Sequence, residues 1–164
     1  MSEEAIMFEY HLEHICSINA TLDPNREVIG PTPEGLKINI YVTGGEVTGP
    51  KIKGKVRPVG ADWFTLRTDG VGILNVRATL ETDDGALIYM TYRGITDAGE
   101  GGYERFLKGE PPAGGAPIHT APVLTTAHPD YLWVNRILCL GVGESFPESK
   151  RIGYDIYAVR AGKE

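Results

Sequence analysis

Cysteine is scarce in this chain, a dense basic block is missing, and no apolar run approaches the ~18 residues that a membrane-spanning helix needs. Each shortage excludes a class of protein. Cys16 and Cys139 are the two cysteines and lie far apart. The opening MSEEAIMFEYHLEH has acids where a secretory signal would carry a basic segment and an apolar core. Reduced, strand-buried thiols are therefore expected rather than a disulfide, together with a cytoplasmic location and no membrane partner. The histidines, His11, His14, His119 and His128, show no metal-ligand spacing. His11 and His14 would point to opposite faces of a strand. No metal and no cofactor are expected.

Nucleophile motifs are also missing. No Ser-His-Asp or Cys-His order stands in a diagnostic local context, and Cys139 sits in the apolar run RILCLGVG, where nothing would lower its pKa. The string GVGESF at 141–146 lacks the lysine of a phosphate-binding loop. The net charge is −6, and Lys51, Lys53, Lys55 and Arg57 recur at period two. That spacing describes a solvated strand face, so nucleic acid is not expected as a partner.

What the chain does have is punctuation. Twenty-one glycines and eleven prolines separate short runs of alternating or β-branched residues. Candidate strands are residues 8–18, 36–43, 51–58, 63–68, 72–82, 86–95, 121–126, 131–142 and 151–160. The expected fold is all-β: one antiparallel β-barrel of about 8–10 strands spanning residues 1–164. Closure would remove the exposed edges that so many apolar strands would otherwise present. The stretch Asp97–Pro117, DAGEGGYERFLKGEPPAGGAP, cannot be a central strand. YERFLKG suits one or two helical turns ended by Gly109, and the segment is expected to form a lid or flexible loop over one barrel mouth.

Two Asp-Gly turns set the register. A two-residue turn at Asp69-Gly70 places Leu66 opposite Ile73, Phe64 opposite Asn75 and Asp62 opposite Arg77. For the next hairpin, a three-residue Asp83-Asp84-Gly85 loop pairs Asn75 with Arg93, Arg77 with Thr91 and Thr79 with Tyr89. This register segregates polar from apolar residues, whereas a two-residue turn mixes them. One face then carries Asn75, Arg77, Thr79, Tyr89, Thr91 and Arg93. The other carries Leu74, Val76, Ala78, Leu80, Ile88, Met90 and Tyr92. The polar face, with Asp62, is either the wet side of a sheet or the lining of a barrel large enough to hold a small ligand.

The segments GGEVTGP, GKVRPVGADW, LRTDG, NVRATLETDDGALIYMTYRG and YLWVNRILCLGVG, in this order, resemble the domain of unknown function 3237 family, also called uncharacterised protein family 0311. The match covers about residues 8–160. The resemblance implies a compact barrel akin to the allene oxide cyclase and dirigent barrels, and a homo-oligomer, a dimer or trimer. It implies no activity. Asn75 stands where the family pattern leads one to expect an acid; where a carboxylate there takes part in chemistry, this chain either lacks that role or fills it from Asp62.

Two functions fit. The first is a cofactor-independent lyase, isomerase or cyclase acting on a small, partly apolar carbonyl, hydroxyl or aromatic compound. Asp62 would be the general base or acid, Arg77 would hold an oxyanion, and Tyr89 would exchange a proton. Arg93 and Asn75 would bind substrate with Asn135, and Trp63, Trp133 and Tyr131 would form an aromatic wall. The second is a non-catalytic small-molecule-binding barrel or structural oligomer. The state of Asp62 separates them: an ion pair with Arg77 is structural, whereas a place in an open cavity with a perturbed pKa is catalytic.

Overall fold

The computed structural model describes residues 3–110 and 115–164. Its strands are β1 (Tyr10–Leu22), β2 (Glu27–Thr32), β3 (Gly35–Thr48), β4 (Gly54–Leu66), β5 (Val71–Thr82), β6 (Leu87–Asp97), β7 (Ala116–Thr120), β8 (Val123–Thr125), β9 (Cys139–Phe146) and β10 (Arg151–Ala161). A short helix α1 (Gly102–Leu107) follows β6, and a 3-10 helix (Pro129–Arg136) precedes β9.

Strands β3, β4, β5, β6, β7, β9, β10 and β1 neighbour one another in that order, and β1 pairs back onto β3. The result is a closed, eight-stranded antiparallel barrel. Closure is possible because β3 is long enough to serve two partners along one edge while β4 takes the other. Its first half pairs with β2 and its second half with β1. Strand β8 pairs with β6 off the main path.

Alternation decides which face turns inward. On β5, Leu74, Val76, Ala78 and Leu80 are buried, and on β6 so are Ile88, Met90 and Tyr92. Fully burying a Val or Leu side chain is worth about 1.5–3 kcal/mol, so this apolar row takes the lumen and the polar row faces outward. The lumen reading of the polar face is overturned. In the basic stripe, Lys51 pairs with Glu13, and Lys55 and Arg57 both pair with Glu81, as suits a solvated face.

Several boundaries differ from the sequence expectation. Residues 51–58 and 63–68 were expected as separate strands, yet β4 runs through both. A register shift between Val56 and Gly60 accommodates Pro58, which cannot donate to a ladder, and Gly60 at φ 101. Strands β2 and β7 were not anticipated, because Gly30, Pro31 and Pro117 punctuate them. The expected strand at 131–142 is a 3-10 helix followed by β9. His128 Nδ1 accepts the Asp130 backbone N–H at 3.2 Å, and Pro129 occupies the first turn, so HPD starts a helix rather than a strand.

The two Asp-Gly hairpins have the same geometry. In the second, Thr82 N–H donates to Ala86 O at 2.9 Å around Asp83-Asp84-Gly85, and the β5–β6 pairs Asn75–Arg93, Arg77–Thr91 and Thr79–Tyr89 match the expected register. In the first, Arg67 N–H donates to Val71 O at 2.9 Å, so the loop is three residues, Thr68-Asp69-Gly70. Gly70 and Gly85 take φ 88 and 90, the left-handed position of such loops. The expected two-residue turn at Asp69-Gly70 is thus corrected by one residue. Asp62 pairs with Val76, and Arg77 pairs with Ala61. A one-residue slip moves a side chain to the other face.

Candidate functional site

Asp62 lies on the inner face of the barrel. Its ladder partners are Ile40 on β3 and Val76 on β4's other neighbour β5, and Val76 in turn pairs with Tyr92. The inner row across four strands therefore reads Ile40, Asp62, Val76, Tyr92. Tyr154, from β10, meets Tyr92 edge to face at 5.4 Å between ring centroids. Its hydroxyl donates to Met90 Sδ at 3.9 Å.

These residues face a cavity of about 160 Å³. Its middle is apolar, with Val42, Val56, Leu74, Ala78 and Ile118 among the lining groups. Helix α1 lies over one mouth, where Ala98, Gly102, Arg105 and Phe106 join the lining. Tyr103 and Phe106 pack on Leu36, Ile38 and Leu66, and Arg105 ties the turn by donating to Ala98 O and Glu100 O at 2.8 and 2.9 Å. The helical turns expected in YERFLKG are present and give way to Gly109 at φ 72. Residues 111–114 of the expected lid lie outside the described residues.

The chemistry of the site follows from burial. Asp62 is 9 % exposed, and loss of hydration raises its carboxyl to about 7, although the Asn75 backbone N–H, donating to Oδ1 at 2.9 Å, pulls the other way. Burial also raises Tyr92 and Tyr154, so both phenols stay protonated across the physiological range. A carboxyl that exchanges its proton near neutral pH thus shares an apolar chamber with two hydroxyl-bearing rings. Such a group serves as a general base or acid.

The other candidate residues are not gathered here. Arg77 stacks over the Trp63 ring at 5.6 Å on the outer wall, so the expected Asp62–Arg77 pair does not form. Arg93 is exposed, Tyr89 is 46 % exposed, and the Asn75 side chain shares their outer face, leaving only its backbone at the site. Tyr131, Trp133 and Asn135 belong to the 3-10 helix at the opposite end of the barrel from α1. There Tyr131 donates to Asp84 at 2.9 Å, and Asn135 brackets Thr126 through two hydrogen bonds of 2.9 Å. None of the three is among the residues that line the cavity. Nothing in the sequence marks Tyr92 or Tyr154 as a site residue, because each alternates with aliphatic residues. Tyr154, between Ile152 and Ile156, reads as core from sequence.

The two cysteines are buried and free. Burial pushes the thiols up, Cys16 to about 12 and Cys139 to about 11. Among the described residues, no group of three or more His, Cys, Asp or Glu is placed to hold a metal ion. No helix among them is long and apolar enough to cross a membrane.

The fold is thus a closed antiparallel barrel in which Asp62 is the one buried carboxyl among the described residues. The chain belongs to the family described as protein of unknown function (DUF3237), whose model matches residues 10–159. The UPF0311 protein RPA1785 of Rhodopseudomonas palustris is 32% identical over 131 residues, 79% of this chain and 84% of the relative. The crystal structure of a beta-barrel like protein from Acinetobacter baumannii superposes with a TM-score of 0.79 at 28% identity, covering 93% of this chain and 97% of that one. An enzyme from Penicillium herquei shares the fold, with a TM-score of 0.66 at 18% identity over 96% of this chain and 99% of that one.

Proposed function

We propose that the protein is a cofactor-independent proton-transfer enzyme, a lyase, isomerase or cyclase, acting on a small, partly apolar carbonyl, hydroxyl or aromatic compound held inside the barrel. One observation carries the reading: Asp62 is buried among aliphatic side chains with its pKa raised to about 7. A structural carboxylate has no need of such a position, and an unpaired buried charge is costly. Asp62 takes a proton from substrate carbon or oxygen. Tyr92 and Tyr154, protonated at all working pH values, are the groups available to donate to a developing oxyanion. The apolar walls exclude water from the intermediate. The enzyme from Penicillium herquei supports this reading as an analogy of fold alone.

The test is a screen of hydroxy-ketones, lactones and aromatic carbonyl compounds in D2O, followed by NMR for C–H exchange or product. Turnover is expected to rise with pH through about 7 as Asp62 ionises, and to vanish in Asp62→Asn. Turnover that survives Asp62→Asn removes the proposed base. A second reading, a binding barrel that performs no chemistry, is favoured by the apolar lining; it predicts ligands that bind Asp62→Asn at least as well as wild type and are never altered.

A further inference from the structure

The mouth under α1 differs in charge from the chamber beneath it. Three cationic side chains line it: Arg26 from the β1–β2 turn, Arg105 from α1, and Lys150 from the β9–β10 hairpin. They come from three separate segments, and the antiparallel topology brings all three to one end of the barrel. Among the described residues none of the three forms an ion pair, although eight pairs occur elsewhere. Arg26 lies over the Phe106 ring at 5.8 Å, which fixes the guanidinium against the helix. Lys150 holds a left-handed backbone, φ 55, uncommon outside glycine, and its carbonyl accepts the Leu22 N–H at 2.9 Å. The remaining charged lining residues are Asp23 and Asp62. Asp23 Oδ1 accepts the Asn25 N–H within its own turn, and Asp62 lies deeper, between Ile40 and Val76.

We infer that the cavity takes organic acids, with the apolar body inside the barrel beside Asp62 and the carboxylate at the mouth among Arg26, Arg105 and Lys150. This inference rests on the cavity proposed above as the substrate site and adds the class of molecule that enters it. The division of labour is electrostatic. An anion placed beside Asp62 would meet a second carboxylate above pH 7 and no lining cation, whereas at the mouth it meets three cations, none of them in an ion pair among the described residues, against the one carboxylate of Asp23. The cations also select orientation, since an acid bound head-first would leave them unpaired and bury its own charge. The acid enters tail-first, and its uncharged carbonyl, hydroxyl or ring reaches Asp62.

The test compares matched pairs, trans-cinnamate with methyl cinnamate and octanoate with 1-octanol, by calorimetry on the full chain. The acid of each pair is expected to bind at least about tenfold tighter than its neutral partner, the effect of one charge-assisted contact. The preference shrinks as salt rises. It also falls towards parity in Arg26→Gln/Lys150→Asn, in which asparagine still tolerates the left-handed backbone. Because Arg26 braces Phe106, Lys150→Asn alone is measured too, and it lowers the preference by itself. Asp62→Asn keeps the preference, since that residue lies away from the mouth. Equal affinity for acid and neutral partner in wild type overturns the cationic mouth while leaving the cavity as a binding site. An acid preference unchanged in the double variant also overturns it. Failure of every compound in both pairs to bind overturns the mouth and the cavity reading together.

Discussion

The Asn75 backbone N–H donates to Asp62 Oδ1 at 2.9 Å, and no cation stands beside that carboxyl on the inner row between Ile40 and Val76. One neutral hydrogen bond offsets only part of the cost of removing a carboxylate from water. The barrel therefore stores instability at Asp62 whenever that group is ionised.

The sign follows from the raised pKa. Below about pH 4 the folded and unfolded chains both hold the proton, and Asp62 costs nothing. Between about 4 and 7 the unfolded chain releases a proton that the folded chain keeps, so stability falls as pH rises. Above 7 the loss levels off at roughly 4 kcal/mol, the equivalent of about three pKa units. Asp62→Asn, whose amide oxygen still accepts the Asn75 N–H, is expected to raise the melting temperature at pH 8 and to leave it unchanged at pH 4. Thermal unfolding at both pH values checks this.

Arg77 and Trp63 make an outer-wall stack. Exposed cation–π contacts contribute about 0.5–1 kcal/mol. Arg77→Ala should cost no more than that in denaturant unfolding and should leave the affinity of any cavity ligand unchanged. A loss of binding would return Arg77 to the lumen.

Gly85 and Gly70 occupy equivalent loop positions with different surroundings. A Cβ on Gly85 meets nothing within 4 Å, so Gly85→Ala carries only the left-handed strain of about 1–2 kcal/mol. A Cβ on Gly70 would stand 2.2 Å from Gly99 O, in the segment leading to α1. Gly70→Ala should therefore be the more destabilising of the two, and should expose the α1 segment to proteolysis.

Cys16 and Cys139 should resist a thiol reagent at pH 8 in the native protein and react fully in denaturant, because burial holds both thiols protonated. Rapid labelling of either in the native state would contradict their place in the core.

The second hairpin shows what was legible in the sequence. Its two faces segregate in only one register, so Arg77–Thr91 and Thr79–Tyr89 could be paired from residues alone. The first hairpin has no such discriminator. Thr65, Phe64 and Trp63 do not sort cleanly, and a three-residue loop looks like a two-residue one. That single-residue ambiguity decided whether Asp62 met Arg77 or Val76. The polar residues Arg77, Arg93 and Tyr89 suggested a site, yet in a barrel this small the lumen is filled mainly by apolar groups. The tyrosines that do face the cavity, Tyr92 and Tyr154, carry no sequence mark that separates them from core. The cations at the mouth are scattered over positions 26, 105 and 150, and only the chain topology assembles them.

The most direct test of a buried, proton-exchanging acid is the titration of the Asp62 carboxyl itself, followed by 13C NMR of aspartate-labelled protein and assigned by the resonance missing in Asp62→Asn. A midpoint near 7 is expected. A midpoint at or below the ordinary value of 3.8 would mean that the carboxylate is solvated or paired, and the buried acid would be lost as the centre of the site.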